Sequence, residues 1–134
     1  MTFDWNNFIS IAEYLKDNCD GLNSEKCIDR ETTFRTVINR AYYAAYNVSV
    51  QYVLKKFGKI SDGDGGKHAR LIKTFQDFKH EKDEYKNIAV KLSRIKSYRI
   101  RADYKENFLN GPPSYAAHNT MKTSQEIISS INSL

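Results

Sequence analysis

The sequence predicts an all-α chain of about five helices, and three observations carry the prediction. Apolar residues recur every three to four positions over most of the chain, the period of a helix buried along one side. Only six Gly and two Pro occur among 134 residues, so long helices meet few interruptions. The clear breaks, at 59–66 (KISDGDGG) and 108–113 (FLNGPP), fall between periodic segments and not inside them. A hydrophobic content of 40%, with nine Tyr and seven Phe, belongs to a globular chain. This length suits one domain, 1–134, able to bury roughly two-thirds of its unfolded surface.

Trp5, Phe8, Ile9, Ala12 and Leu15 share a face, which predicts a first helix over about 4–17. Residues 18–30, NCDGLNSEKCIDR, lose that period and gain Asn, Gly and Ser, so they read as a connection with room for a short turn. Cys19 and Cys27 both fall there. With no nearby His or second Cys pair to complete a zinc site, they read as reduced thiols. The opening MTFDWNNF lacks the basic-then-apolar order of a signal peptide, and no run approaches the ~18 apolar residues of a membrane span. A cytoplasmic protein with no membrane partner is the expectation.

The second helix is predicted over 31–57, ending near Gly58. Phe34, Ile38, Ala41, Tyr42, Ala45, Val48, Tyr52 and Lys56 form one stripe, whose single charge is able to snorkel. The other side holds Arg40, Tyr43, Asn47, Val50 and Leu54. A helix apolar on two sides is central in its bundle or carries a subunit interface; both remain open, with the interface favoured.

The 59–66 break resembles a calcium loop in composition but lacks the ligand spacing and closing glutamate of an EF-hand, so no metal is expected there. A third helix follows over about 67–78, with Ala69, Leu71, Ile72, Phe75 and Phe78. His68 opens it, where the helix dipole favours a neutral imidazole. His80 lies past its end, and His118 reads as a surface residue.

The fourth helix, predicted over 82 to about 107, is the most informative. Tyr85, Ile88, Ala89, Leu92, Ile95 and Ala102 make its core stripe, and Arg99 and Asp103 fall within about 40° of the stripe's centre. Burying unpaired charge is strongly unfavourable. The pair therefore either neutralises itself as a structural lock or marks a site. On the other side Lys91, Arg94, Tyr98, Arg101 and Lys105 repeat at steps of three and four. Four cations flanking an aromatic suit a phosphate backbone with one base stacked on Tyr98.

That face sits in a basic region. Residues 67–105 hold 12 Lys/Arg against 5 Asp/Glu, whereas the rest of the chain holds 9 against 11. An excess confined to one region favours a polyanionic partner, RNA among the candidates. The 108–113 segment then ends the helix, since proline cannot continue it. Tyr115, Ala116, Asn119, Met121, Ile127, Ile128, Ile131 and Leu134 predict a final helix, weaker for its many Ser and Thr.

Arg40-Ala-Tyr-Tyr-Ala-Ala-Tyr in the second helix, His68 opening the third, and Arg99-Ile-Arg-Ala-Asp-Tyr104 closing the fourth resemble the marks of HEPN domains. The similarity is to a small stand-alone group with R-A-Y-Y-A and R-x-x-A-D-Y segments, and it covers nearly the whole chain from Trp5. It implies an antiparallel helical bundle that forms a homodimer, with a cleft between subunits and a role in toxin–antitoxin, CRISPR-linked or antiphage systems. Active members are metal-independent endoribonucleases, so no cofactor is implied. Their usual signature is an arginine and a histidine separated by four to six residues. Here the corresponding positions after Arg99 hold Tyr104, Lys105 and Glu106, and those after Arg101 hold Glu106, Asn107 and Phe108.

Three readings follow. In the first, an RNA-cleaving toxin or defence protein uses Arg99 to hold the scissile phosphate, Asp103 to orient it, and His68 or Tyr104 to move protons. Arg40 and Asn47 would then line the shared cleft, beside the Lys91–Lys105 seam. In the second, a HEPN interaction or nucleotide-binding module without catalysis works with a nucleotidyltransferase, an antitoxin or another effector. The third is an RNA-binding bundle that uses the basic seam without chemistry.

Overall fold

The computed structural model describes residues 3–107 and 111–134. Six helices form among them, and no strand: α1 (Asn7–Asp17), α2 (Cys19–Lys26), α3 (Arg30–Phe57), α4 (Lys67–Asp77), α5 (Asp83–Tyr104) and α6 (Pro113–Asn132). The all-α expectation is met. None of these helices is long and apolar enough to cross a membrane.

The segment read as a connection contains α2. Asn18 ends α1 by donating its side-chain amide to the Tyr14 carbonyl at 2.8 Å, and its own carbonyl then accepts the Leu22 N–H at 2.9 Å, restarting the helix. Only Cys19 of α2 is buried, so this short helix has almost no apolar stripe for periodicity to detect.

α3 is the axis of the bundle. Asp29 caps its start by accepting the Thr32 N–H at 3.2 Å, and Gly58, at φ 82°, closes its end in the left-handed conformation glycine tolerates best. At 28 residues it is about 42 Å long. Every other helix touches it, so its two faces are used on two levels.

Tyr42, Ala45 and Val53 join Leu71 and Phe75 of α4, Tyr85 to Ile95 of α5, and Ile127 and Ile131 of α6 in one core cluster. Phe34, Val37, Ile38 and Ala41 join Ala12, Cys19, Ala102, Ala116, Ala117 and Met121 in the other. Each large aliphatic side chain buried this way contributes about 1.5–3 kcal/mol. From this division, α5 runs against α3, while α6 runs in the same sense as α3.

The Ser and Thr that weakened the expectation for α6 are used at its contact with α3. Thr120, Thr123 and Ser124 are buried, and Ser124 Oγ donates to the Ala41 carbonyl at 2.6 Å. Small hydroxyl residues let the two backbones approach and satisfy their own polar atoms.

α5 is shorter than the sequence predicts, ending at Tyr104, with Lys105 already extended. Arg35 of α3 caps this end. Its guanidinium donates to the carbonyls of Arg101 (3.2 Å), Ala102 (3.0 Å), Lys105 (2.6 Å) and Glu106 (2.9 Å). A cation on the last orphan carbonyls also complements the negative end of the helix dipole. Of the predicted 108–113 break, residues 108–110 lie outside the described residues; Pro112 precedes α6 and Pro113 starts it, where the missing N–H costs nothing.

Candidate functional site

Polar residues from three helices meet where the end of α5 crosses α3 and α4 begins. Arg99 is only 6% exposed. Its Nη1 lies 3.4 Å from Asp103 Oδ2, one helical turn on. Its guanidinium sits over aromatic rings, 5.3 Å from the centre of Tyr42 and 5.8 Å from those of Tyr43 and Tyr104. The negative faces of those rings help to offset the lost hydration of the cation. The Nε of Arg99 is nonetheless buried with no hydrogen-bond partner.

Asp103 reaches out of the apolar stripe, its side chain keeping 23% exposure. Asn39 of α3 donates its amide to both carboxylate oxygens at 3.1 Å. The Asn39 carbonyl oxygen accepts from Arg40, from Nε at 2.8 Å and also from Nη2. This amide orientation is the one that satisfies both neighbours, since Arg40 can only donate and the carboxylate can only accept. Arg40, Asn39, Asp103 and Arg99 thus form an alternating donor and acceptor line between α3 and α5. Arg40 also lies 4.7 Å from the Phe8 ring. Beside the line opens a groove of about 610 Å³, bounded by Arg35, Thr36, Asn39, Arg40, Asp103 and Tyr104.

His68 lies on the other side of Arg99. Its Nδ1 is 2.6 Å from the Tyr42 hydroxyl, and its ring stacks on Tyr46 at 4.2 Å and meets Tyr43 edge-on at 5.8 Å. Burial lowers the pKa of the imidazole, and the charges of Arg99 and Lys96 lower it further. His68 is therefore held neutral near pH 7. Burial raises the Tyr42 hydroxyl well above its ordinary value, so it stays protonated.

The fold thus brings Arg99, Asp103, Tyr104, Arg40 and His68 into one neighbourhood, although His68 and Arg99 are far apart in sequence. Tyr104 is 73% exposed. Asn47 is not part of the cluster; its amide donates to the Tyr43 carbonyl at 2.8 Å within α3. The row from Lys91 to Lys105 is not presented as one open seam. Lys91 lies 3.9 Å from Glu126 of α6, and Tyr98 packs against the second core cluster. Arg101 lies over the Tyr98 ring at 5.9 Å, Arg94 is exposed, and Lys105 follows the end of α5.

Asn39, Arg35 and Lys96 carry part of this geometry and do not stand out in the sequence, whereas Tyr42, Tyr43 and Tyr46 stand in the R-A-Y-Y-A-A-Y segment without a role at the site being assigned to them. The available signal was Tyr42, Tyr43 and Tyr46 at i, i+1 and i+4, three hydroxylated rings on adjoining faces of the central helix. Among the described residues no group of three or more His, Cys, Asp or Glu is placed to hold a metal ion.

Compared with protein-family models, the chain matches none, and no curated protein matches it significantly.

Proposed function

We propose that this chain is a HEPN-type protein acting on RNA, a toxin or defence protein that cleaves without a metal ion at the His68–Tyr42–Arg99 cluster. One observation carries the reading: a neutral imidazole and a fixed guanidinium share the Tyr42 ring, with His68 on its hydroxyl at 2.6 Å and Arg99 over its face at 5.3 Å. When Nδ1–H donates to Tyr42, Nε2 is left to accept a proton. In the step, the ribose 2′-oxygen bonds to phosphorus as its proton passes to the imidazole, and the bond to the 5′-oxygen breaks as the imidazolium hands that proton to the departing oxygen. Arg99 stabilises the negative charge that builds on the phosphoryl oxygens. In this reading the chain works as a cytoplasmic homodimer, whose contact is the second face of α3. Support for that contact is the exposure of Leu54, at 47%, beside half-buried Val50 and Asn47.

A second reading has its own observation. Arg99 is nearly covered and already committed to Asp103 and three rings, as a structural lock in a HEPN interaction or nucleotide-binding module would be. Such a module would partner a nucleotidyltransferase or another effector.

Incubation of the purified protein with single-stranded RNA in EDTA separates the two. Cleavage should leave 2′,3′-cyclic phosphate and 5′-hydroxyl ends, and His68→Gln and Arg99→Lys should each slow it at least about a hundredfold. Intact RNA, or variants that cut as fast as the parent, would reject the nuclease reading.

A further inference from the structure

A second groove runs along the outer face of α5, beyond the His68 cluster. Ser93, Lys96, Ser97, Ile100, Arg101 and Lys105 bound a space of about 340 Å³. On a helical projection Ser93, Ser97, Ile100 and Tyr104 fall within about 60° of one another, with Lys96 on one edge and Arg101 on the other. The face is therefore small and uncharged along its centre, with Lys96 on one side, where Asp103 follows two turns on, Arg101 on the other, and the exposed ring of Tyr104 at its end.

These cations differ from those nearer α6. Among the described residues none of Lys96, Arg101 and Lys105 forms a salt bridge, whereas Lys91 faces Glu126. Cations without a carboxylate partner hold mobile counterions, which a phosphate chain releases on binding. The charge of Lys96, on the edge of this groove, also disfavours protonation of the His68 imidazole. Tyr104 follows Ile100 by one turn of the same helix; its exposed ring bounds the first groove, beside Asp103, and meets the Arg99 guanidinium at 5.8 Å, so a strand leaving the second groove at Lys105 passes toward it.

We propose that the outer face of α5 is a track for single-stranded RNA, with phosphates on Lys96, Arg101 and Lys105 and a base stacked on Tyr104. The track rests on the RNA reading above and deepens it by stating how the strand is held. Tyr104 becomes a stacking platform and not a proton donor. A single strand fits because a base stacks on a protein ring only after leaving its neighbours in a duplex.

Binding is measured in EDTA over a series of salt concentrations, using a short single-stranded RNA methylated at every 2′-oxygen. The methyl group removes the nucleophile, so binding is read without cleavage. The combined variant Lys96→Ala, Arg101→Ala, Lys105→Ala should flatten the plot of log affinity against log salt by about two units, and Lys105→Ala alone by about 0.7. Tyr104→Ala should weaken binding roughly five- to a hundredfold while keeping the slope, and Tyr104→Phe should restore it.

An unchanged slope in the combined variant together with parental affinity in Tyr104→Ala would overturn the track. So would a duplex of the same sequence that bound as tightly and with the same dependence on Tyr104. If the methylated strand binds as expected while natural RNA stays whole, the track stands and the nuclease reading falls. If natural RNA is cut while all these variants bind like the parent, the nuclease stands and the track falls.

Discussion

Tyr42 and Tyr52 stand on the same helix, and each holds its hydroxyl 2.6 Å from a partner, yet their surroundings differ in kind. Tyr52 meets the hydroxyl of Tyr85, among the rings of Phe57 and Phe75. Phe57 in turn stacks on Phe78 at 4.1 Å. Each hydroxyl answers the other among apolar rings, while the nearby charges, Glu81 and Glu84 by Tyr85 and Lys55 and Lys56 by Tyr52, make no hydrogen bond to the pair among the described residues. Tyr42 instead meets an imidazole and carries a guanidinium on its face, and that guanidinium keeps a buried Nε without a partner. A closed pair explains itself through stability. The Tyr42 cluster holds ionisable groups at the cost of an unmet hydrogen bond, which makes it the better candidate for chemistry.

The largest test of that contrast is Arg99→Ala. It leaves Asp103 without its cation and opens a hole against Tyr42, and should cost about 3 kcal/mol of stability in urea denaturation, the low end for a buried pair because Asp103 keeps water and Asn39. Tyr85→Phe removes one hydroxyl from the closed pair and should cost about 1 kcal/mol. Equal losses would mean that the two neighbourhoods are energetically alike.

A medium-sized effect separates them by kind. Tyr42→Phe should cost about 1 kcal/mol as well, but it should also move the His68 titration followed by NMR. Tyr85→Phe should leave that titration in place. If both variants left it in place, the Tyr42–His68 contact would carry no coupling.

The smallest effect is on pH dependence. Burial, then Arg99 and Lys96, lower the His68 pKa in the folded protein, so the unfolded chain binds the proton more readily. Stability should be full above the unfolded value of about 6.5 and fall as pH drops from there through the folded pKa. Lys96→Ala should shrink this acid-side loss, and His68→Gln should abolish its share; melting temperatures measured across that range would show whether either holds.

Much of the fold was legible in the residues. The stripes of α1, α3, α4 and α5 lie where periodicity put them, because a buried face must repeat with the helical turn whatever it packs against. α2 escaped because it buries almost nothing. The end of α5 was misplaced by three residues because what stops it is Arg35, a side chain on another helix. The Arg99–Asp103 pair was readable, since residues four apart share a face. The basic seam was less secure: the same spacing cannot tell a free Lys91 from one facing Glu126, or an open Tyr98 from one packed in the core.

The sequence by itself determined the class of fold, the two apolar faces of α3 and the presence of two charges along the apolar stripe of α5. These follow from local periodicity and the cost of burying charge. Only the tertiary structure decided that α3 is the axis, that His68 reaches Tyr42 beside Arg99, that Asn39 links Arg40 to Asp103, and that Lys96, Arg101 and Lys105 share a groove. Those meetings depend on how helices distant in sequence cross, and no spacing along one chain encodes a crossing.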